Sequence, residues 1–408
     1  MSSSPATLPL RLDTQYDEPV LGPEVKGGEM CGEDGGRVDG RAKSLGSRPN
    51  TALLGADMPL EHSIQLPIEL WEKVIDVLAN EWVDVLWRDV TYEARLHVLG
   101  RVCREWYARC RFRAWEKLDV DRMDKTEVYR LINALKQNPE RCHAIKTVSF
   151  HFQWDSALMS IFGTFAVCMA QRLPPVKRLI LGRYNWELGQ LHAQVFVHIT
   201  LAFESVAVLK LMEVRFPSAA VFGRLLRALP RLSSLTCWSV SFRKRGDVAG
   251  RIWELHPLRL EGADVRDSDD VVNFLVLVGA QLRHLVWRTR SSDKCSELLA
   301  VTAESLSSIC LELPRFISRK IRFPDFTIDL TPAIHLRVLS FTVPPAGLPG
   351  AANVLSRTSL PKLTVIEVRI TSVLLGPKSY SSRLENADKD SYGLIDQALS
   401  SRHTKGCF

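Results

Sequence analysis

The chain has 408 residues, of which 46% are hydrophobic, and a formal net charge of +7 at pH 7. This length allows one large core or two to three domains, and the composition predicts a soluble globular protein. The longest apolar run, residues 271–280, is far shorter than the roughly twenty residues of a membrane-spanning helix. Nine cysteines without a Cys-x-x-Cys pair, and no recognisable secretion signal, predict reduced thiols, no structural zinc and a cytoplasmic or nuclear location.

Both ends of the chain are predicted to be disordered. Residues 1–60 contain nine Gly, six Pro and one aromatic residue, which is too little apolar surface to offset the entropy lost on ordering. They hold six Lys/Arg against nine Asp/Glu, a net charge of −3, and so leave +10 on the remainder. Residues 376–408 are also polar and are predicted to be mostly disordered. The positive remainder would suit an acidic partner without requiring one.

A short amphipathic helix is predicted over residues 66–78, LPIELWEKVIDVL. Its apolar residues Trp71, Val74, Ile75 and Leu78 recur at helical spacing, and Pro67 suits the first turn, because its missing N–H costs nothing there. A second helix is predicted in residues 94–110, where apolar residues recur at steps of three and four. Two such helices bury too little apolar surface to be robust alone, so we expect this unit to lean on a partner.

From about residue 115 to residue 372, the chain repeats a pair of apolar residues separated by one residue. The nine pairs are Val148 and Phe150, Leu179 and Leu181, Leu209 and Leu211, Leu235 and Cys237, Leu258 and Leu260, Leu285 and Trp287, Ile309 and Leu311, Leu339 and Phe341, and Ile366 and Val368. Successive pairs are 23 to 31 residues apart. This noisy period is near that of a leucine-rich repeat.

Helical patterns lie between the repeated pairs, in residues 127–137, 156–173, 219–229 and 268–278, the last with Ser268 as a candidate N-cap. Each unit thus holds one strand and one helix, neither of which can bury its apolar side alone. Such units stack, so the pattern predicts an α/β solenoid of alternating short parallel strands and helices. An ordinary α/β domain with uneven loops is the alternative.

Residues 64–118 resemble the F-box of fungal, basidiomycete-type F-box proteins. The family pattern runs Leu-Pro-x-Glu-Leu, then Ile and Leu along the first helix, then Val-Cys-Arg-x-Trp. In this chain its places are taken by Leu66, Pro67, Glu69, Leu70, Ile75, Leu78, Val102, Cys103, Arg104 and Trp106, with Trp115 at the closing tryptophan. The connection between the two parts is longer than usual, which we interpret as an insertion around residues 81–91. Residues 119–372 resemble a leucine-rich-repeat substrate region.

The resemblance implies a substrate receptor of a Skp/cullin/F-box ubiquitin ligase. The F-box would dock onto a Skp-type adaptor, and through it a cullin, while the repeats would hold the protein to be ubiquitylated. Such a chain performs no chemistry itself, because it acts by positioning an acceptor lysine at high effective concentration. Some residues of so small a unit must serve both its core and its adaptor contact. The residues expected to contact the adaptor are Leu66, Pro67, Leu70, Ile75, Leu78, Val102, Cys103 and Trp106.

The residues that flank the repeated pairs are predicted to line the concave face of the solenoid, because side chains alternate along a strand. We expect this face to bind an acidic or phosphorylated segment of a target, with a tryptophan as an apolar anchor. A merely solvated strand face is the alternative. The residues assigned to this role are Arg178, Lys210, Trp238, Arg259 and Arg288.

Two further functions stay open. One is a repeat scaffold that binds proteins without a ligase. The other is a nucleic-acid binder that uses residues 101–113, where five arginines are interleaved with aromatic residues; a solvated helix face would also explain this run. No Gly-x-Ser-x-Gly, phosphate loop or His-Glu-x-x-His motif occurs. The sequence therefore predicts no catalytic, cofactor-binding or metal residues and a protein that is not an enzyme.

Overall fold

The computed structural model describes residues 67–83, 92–121, 123–151, 159–186, 193–244, 257–288, 292–312, 328–344, 347–358, 360–370, 393–398 and 400. Several predictions fall outside these residues: the disordered segment 1–60, most of 376–408, the insertion beyond Val83, and the position of Leu66. Within the described ranges, no helix is both long enough and apolar enough to cross a bilayer.

Helices and strands alternate along most of the chain. The helices are α1 (Ile68–Val83), α2 (Tyr92–Gly100), α3 (Arg104–Glu116), α4 (Lys125–Gln137), α5 (Pro139–Ala144), α6 (Met159–Met169), α7 (Ala193–Ala202), α8 (Ala219–Arg227), α9 (Asp269–Leu277), α10 (Ser292–Thr302) and α11 (Leu348–Arg357). The strands are β1 (Lys117–Asp121), β2 (Thr147–His151), β3 (Arg178–Asn185), β4 (Val208–Ser218), β5 (Ser234–Trp238), β6 (Ser241–Lys244), β7 (Arg259–Arg266), β8 (Gln281–Trp287), β9 (Ser308–Glu312), β10 (Val338–Val343) and β11 (Val365–Ile370).

The strands form a single sheet in the order β1-β2-β3-β4-β5-β7-β8-β9-β10-β11, with β6 paired to β4, and every pair is parallel. The order never reverses, whereas a doubly wound α/β sheet turns back at a switch point. Because connections between parallel strands are right-handed, crossovers that all step the same way place the helices on one face. The described strand order therefore favours the predicted solenoid over an ordinary α/β domain.

Eight of the nine predicted apolar pairs lie in register across the sheet. The fifth pair was assigned wrongly. In β7, Ala263 is in register with Leu235 and Leu285, and Val265 is in register with Cys237 and Trp287. The pair of this strand is therefore Ala263 and Val265, not Leu258 and Leu260. The segment before Ala263 shows the apolar alternation that is typical of a buried strand, and the pair was assigned to it for this reason.

Each repeat buries more than its pair, because the residues three and six positions before it turn into the same core. Leu173 and Val176 precede Leu179 and Leu181 in this way, and all four side chains are buried. The same spacing recurs in other repeats. Its further members are Cys142 and Ile145 before β2, Phe203 and Val206 before β4, Leu229 and Leu232 before β5, and Ala333 and Leu336 before β10. This spacing of three, three and two residues is a fuller repeat signature than the pair alone.

The predicted helix over residues 94–110 is two helices in the structure. α2 ends at Gly100, and α3 begins after the extended residue Cys103. A Cβ atom on Gly100 would lie 3.4 Å from the Cβ of Cys110 and from the Cα of Tyr107. The glycine therefore lets α3 pack closely against the end of α2, which the continuous apolar spacing of the segment had concealed.

One strand of the sheet precedes the first predicted apolar pair, Val148 and Phe150. α3 ends at Glu116, and β1 follows at once, with Leu118 beside Val148 and Val120 beside Phe150. The predicted boundary between residues 118 and 119 thus falls inside β1. The helical unit is consequently joined to the solenoid by a continuous helix-to-strand connection.

Ser268 precedes α9 as predicted, but its side chain does not cap the helix. Its hydroxyl donates to the carbonyl oxygen of Arg266 at 2.7 Å and accepts from the N–H of Val240 at 2.9 Å. Asp270 accepts a hydrogen bond from the N–H of Phe242 at 2.8 Å. The start of α9 therefore holds the chain that follows β5, instead of satisfying its own first turn.

Candidate protein-binding surfaces

The three helices α1, α2 and α3 enclose a small core that is separate from the solenoid core. Its buried members are Ile75, Ala79, Leu96 and Cys110. At its edge the rings of Trp71 and Trp106 lie 4.9 Å apart between centroids. Four buried side chains supply little stabilisation to a three-helix unit. The prediction that the unit leans on a partner is consistent with so small a core and stays a prediction.

A second apolar face of α1 points into solvent. Leu70, Val74 and Val77 recur at steps of four and three, so they lie on one side of the helix, and their exposed fractions are 43%, 41% and 56%. Val98 and Val102, which follow on α2 and the turn after it, are also exposed. A helix that carries apolar residues both towards its core and towards solvent is typical of a protein-binding surface.

The predicted adaptor-contacting residues divide by exposure. Among the described ones, Pro67, Leu70, Val102 and Cys103 are exposed, Leu78 and Trp106 are half-buried, and Ile75 is buried. Ile75 therefore belongs to the core of the unit and is not available for a surface contact. The sequence interpretation placed Val74 on the core face and did not single out Val77, because it assumed one apolar face on α1.

A chain of ion pairs joins the helical unit to the solenoid. Asp76 on α1 accepts hydrogen bonds from Arg109 at 2.9 Å and from Arg113 at 2.7 Å, both on α3. Arg113 also pairs with Glu116, and Glu116 accepts from Lys146, directly before β2, at 2.6 Å. The hydrogen bond from Arg113, aided by Arg109, outweighs burial and lowers the pKa of Asp76 to about 2. The Asp76 carboxylate is thus held in its charged form.

The same contacts bear on the arginine run of residues 101–113. Arg109 and Arg113 are engaged by Asp76, and the guanidinium of Arg111 lies 5.0 Å from the ring centroid of Trp115. Three of the five arginines thus have partners within the chain. The run does not form a continuous basic stripe, and the nucleic-acid alternative loses the feature on which it depended.

The face of the sheet that points away from the helices is here named the opposite face. Its side chains form three rows across the strands, because alternate residues of neighbouring strands lie in register. Near β2 to β4 this face is closed: Ser149 and Ile180 are 0% exposed and Met212 is 6% exposed. From β5 onwards most of its side chains are half-buried. The middle row consists of Asp119, Ser149, Ile180, Lys210, Thr236, Asp264, Val286, Cys310, Ser340 and Glu367.

Charges on the opposite face are paired across strands. Arg288 lies between two carboxylates, 3.1 Å from Asp264 and 2.9 Å from Glu312. Arg266 stacks on the ring of Trp238 at 4.3 Å. Burial raises the pKa of Asp264 while Arg288 acts in the opposite direction. Arg288 and Trp238, two of the predicted target-binding residues, therefore already have partners within the sheet.

The other predicted target-binding residues lie in different places. Arg178 and Lys210 are half-buried on the opposite face, as expected. Arg259 is a correction: it begins β7 beside Gln281, outside the three rows, because the repeated pair of this strand is five residues later than predicted. Only Arg178, Lys210, Trp238 and Arg288 share the opposite face. Within the described ranges, no group of three potential metal ligands occurs.

Comparisons with known proteins assign this chain to no family. A scan against known protein families finds no match to this chain, and a search of curated proteins finds none. Among solved structures, the chain is similar to the leucine-rich repeat-containing protein LegL7 from Legionella pneumophila, with 13% sequence identity and a TM-score of 0.39, over 68% of this chain and 90% of that one. The leucine-rich-repeat-like architecture rests on the strand order and register described above.

Proposed function

We propose that this protein is the substrate-recognition subunit of a Skp/cullin/F-box ubiquitin ligase and that it catalyses no reaction itself. Its helical unit, α1 to α3, binds a Skp-type adaptor and through it a cullin. Its leucine-rich-repeat-like solenoid binds the target protein. The observation that carries the proposal is the exposed apolar face of α1, Leu70, Val74 and Val77, on a unit whose own core holds four buried residues.

Three features support this division of roles. The unit resembles the F-box pattern in sequence and consists of three helices. Its exposed apolar residues are of the kind that a partner covers, and burial of each would contribute about 1 kcal/mol or more. The ion pairs of Asp76, Arg113, Glu116 and Lys146 fix the unit against the first repeats. A tethered target is thereby held in a defined direction relative to the adaptor.

Copurification with a Skp-type adaptor tests the proposal. We expect the intact chain to retain the adaptor and a Leu70→Asp/Val74→Asp variant to lose it. The matched control is Val167→Asp/Val197→Asp on α6 and α7, which places the same two charges at exposed valines of the solenoid. Substitution of Ile75 is unsuitable, because this buried residue would report folding instead of binding.

The results separate the proposals. Loss of the adaptor in the α1 variant alone, with unchanged circular dichroism, supports the ligase function. If the intact, folded chain fails to bind the adaptor at micromolar concentration, the ligase proposal is wrong. A repeat scaffold that binds proteins without a ligase is then the function that the solenoid supports.

A further inference from the structure

Cations collect along the edge of the sheet at which β7 to β11 begin. Arg259 begins β7, Arg283 lies in β8, Arg337 directly precedes β10 and Lys362 precedes β11. All four side chains are exposed. Within the described ranges, none of them takes part in an ion pair. We name these four residues the strand-start edge.

Two adjoining grooves run along the strand-start edge. One, of about 600 Å³, is lined by Arg259 and Arg283, and the other, of about 360 Å³, by Arg337 and Lys362. Glu304 lines both grooves and so lies where they meet. The four cations thus border one depression at the starts of five strands, β7 to β11, which at about 4.8 Å per strand extends over about 19 Å.

The depression carries an excess of positive charge. Its lining includes the four cations of the strand-start edge against two carboxylates, Glu261 and Glu304. Lys362 donates a hydrogen bond to Nδ1 of His335 at 2.9 Å. The partner of Lys362 in this hydrogen bond is an imidazole nitrogen and not a carboxylate, so the contact does not cancel the positive charge of Lys362. The excess is two charges when the lining histidines are neutral.

This edge differs from the opposite face in how its cations are placed. There Arg288 lies between Asp264 and Glu312, and its charge is balanced within the sheet. At the strand-start edge the corresponding acids are missing from contact distance of Arg283 and Arg337 in the described chain. Uncompensated charge in a groove raises the local concentration of anions, whereas a balanced pair does not.

We propose that the strand-start edge binds an extended acidic peptide segment of the target protein. The inference rests on the protein-binding role of the solenoid proposed above and names the chemistry of its target. Neighbouring strands are about 4.8 Å apart, so Arg283 on β8 and Arg337 before β10 are separated by about 10 Å. A peptide in the extended polyproline II conformation has three residues per turn and advances about 3.1 Å per residue, so Asp or Glu at every third position lies on one face, about 9 Å apart, and meets both guanidinium groups.

The lining favours a peptide over a nucleic acid. Among the described residues that line the two grooves there is no Phe, Tyr or Trp, on which unpaired bases stack. Glu261 and Glu304 interrupt the cations, and they would repel the unbroken phosphate chain of RNA or DNA. Separate carboxylates spaced along a peptide can pass between them.

Fluorescence polarisation with the purified full-length chain tests the inference. The probe is a labelled ten-residue Gly/Ser peptide with Glu at every third position. Its comparisons are the same peptide with Gln in place of Glu, the same peptide with phosphoserine in place of Glu, and an oligouridylate of equal length. The variant is Arg283→Glu/Arg337→Glu. The matched control is Arg130→Glu/Arg224→Glu, which reverses two exposed arginines on α4 and α8.

We expect the Glu peptide to bind in a salt-dependent manner and the Gln peptide not to bind. The edge variant should weaken binding about tenfold or more, since it replaces two attractive contacts by repulsion, and the control should change it far less. The inference is wrong if the intact chain does not bind the Glu peptide, or if the control variant weakens binding as much as the edge variant. It is also wrong if oligouridylate binds more tightly than the Glu peptide, or if only the phosphoserine peptide binds.

Adaptor copurification on the same variants keeps the two proposals apart. Retained adaptor binding with lost peptide binding in the edge variant supports both. Peptide binding that persists in a chain unable to bind the adaptor refutes the ligase and leaves the acidic-peptide groove standing. If the edge variant loses thermal stability but keeps the peptide affinity of the intact chain, the cations only offset the negative helix ends nearby, and the inference is wrong.

Discussion

The carboxylate of Asp76 is expected to hold α1 in place, and Asp76→Asn tests this. The substitution removes the negative charge that accepts from Arg109 and Arg113 while keeping the size of the side chain. Arg113 keeps its ion pair with Glu116. Because the core of the unit holds only four buried side chains, we expect α1 to open locally while the solenoid stays folded.

The magnitude follows from the pKa of Asp76. Its fall from 3.8 to about 2 corresponds to about 2.4 kcal/mol, at about 1.36 kcal/mol per pH unit. The side chain is 24% exposed, so solvent screening reduces the contribution to about 1 to 2 kcal/mol. Amide protons of α1 that exchange by local opening should then exchange about 5 to 30 times faster in the variant.

Hydrogen exchange followed by mass spectrometry measures this, with peptides from residues 68–83 and from 219–229. Glu69→Gln, an exposed carboxylate in the first turn of α1, is the matched control. The folded-state pKa of Asp76 lies below the unfolded value, so its contribution is complete above about pH 4 and disappears as the pH falls through about 2. The difference between wild type and Asp76→Asn should shrink over the same range. Equal exchange in the two proteins at neutral pH would refute the reasoning.

Two further predictions concern the solenoid. A Cβ on Gly182 would overlap the imidazole of His151 on the neighbouring strand β2, so Gly182→Ala should lower the free energy of unfolding by about 1 to 3 kcal/mol in urea titration. A Cβ on Gly262 would lie 3.8 Å from its nearest neighbour, so Gly262→Ala should change the free energy of unfolding less, and equal losses would contradict the steric reason. Burial raises the pKa of the Cys295 thiol, so a maleimide at neutral pH should label exposed Cys103 in the native protein and Cys295 only after unfolding; comparable native rates would show that the repeat core is open.

The solenoid could be predicted from sequence because its signal is local and repeated. An apolar pair with one residue between its members identifies a half-buried strand, and eight such pairs lie in register. The signal failed in β7, where the buried pair is Ala263 and Val265, because alanine is a weak apolar marker and the preceding Leu258 and Leu260 imitate the pattern. β1 also shows the alternation, in Leu118 and Val120, but it straddles the end of the segment that resembles the F-box.

The helical unit was harder to predict in detail. Regular spacing of apolar residues across 94–110 cannot reveal a break, since the turn after Gly100 preserves the phase of the pattern. Spacing also cannot tell which of two apolar faces is buried. Ile75 and Leu70 both fit a helix face, and only the packing of α1 against α3 separates the core residue from the exposed one.

Charge partners in a solenoid come from one repeat away, and this explains which part of the predicted target site changed. Asp264 and Glu312 each lie 24 residues from Arg288, on the strands that flank it in the sheet. The sequence of one strand alone predicts that Arg288 is an outward-pointing cation. Alignment of neighbouring repeats shows that two acids lie beside it. The same alignment places Glu261 opposite Arg283 but no acid opposite Arg337, whose neighbours in register are Ser307 and Thr364. A search for target sites in such proteins should therefore subtract each repeat's charges from those of its neighbours, because only the remainder is available to attract a target.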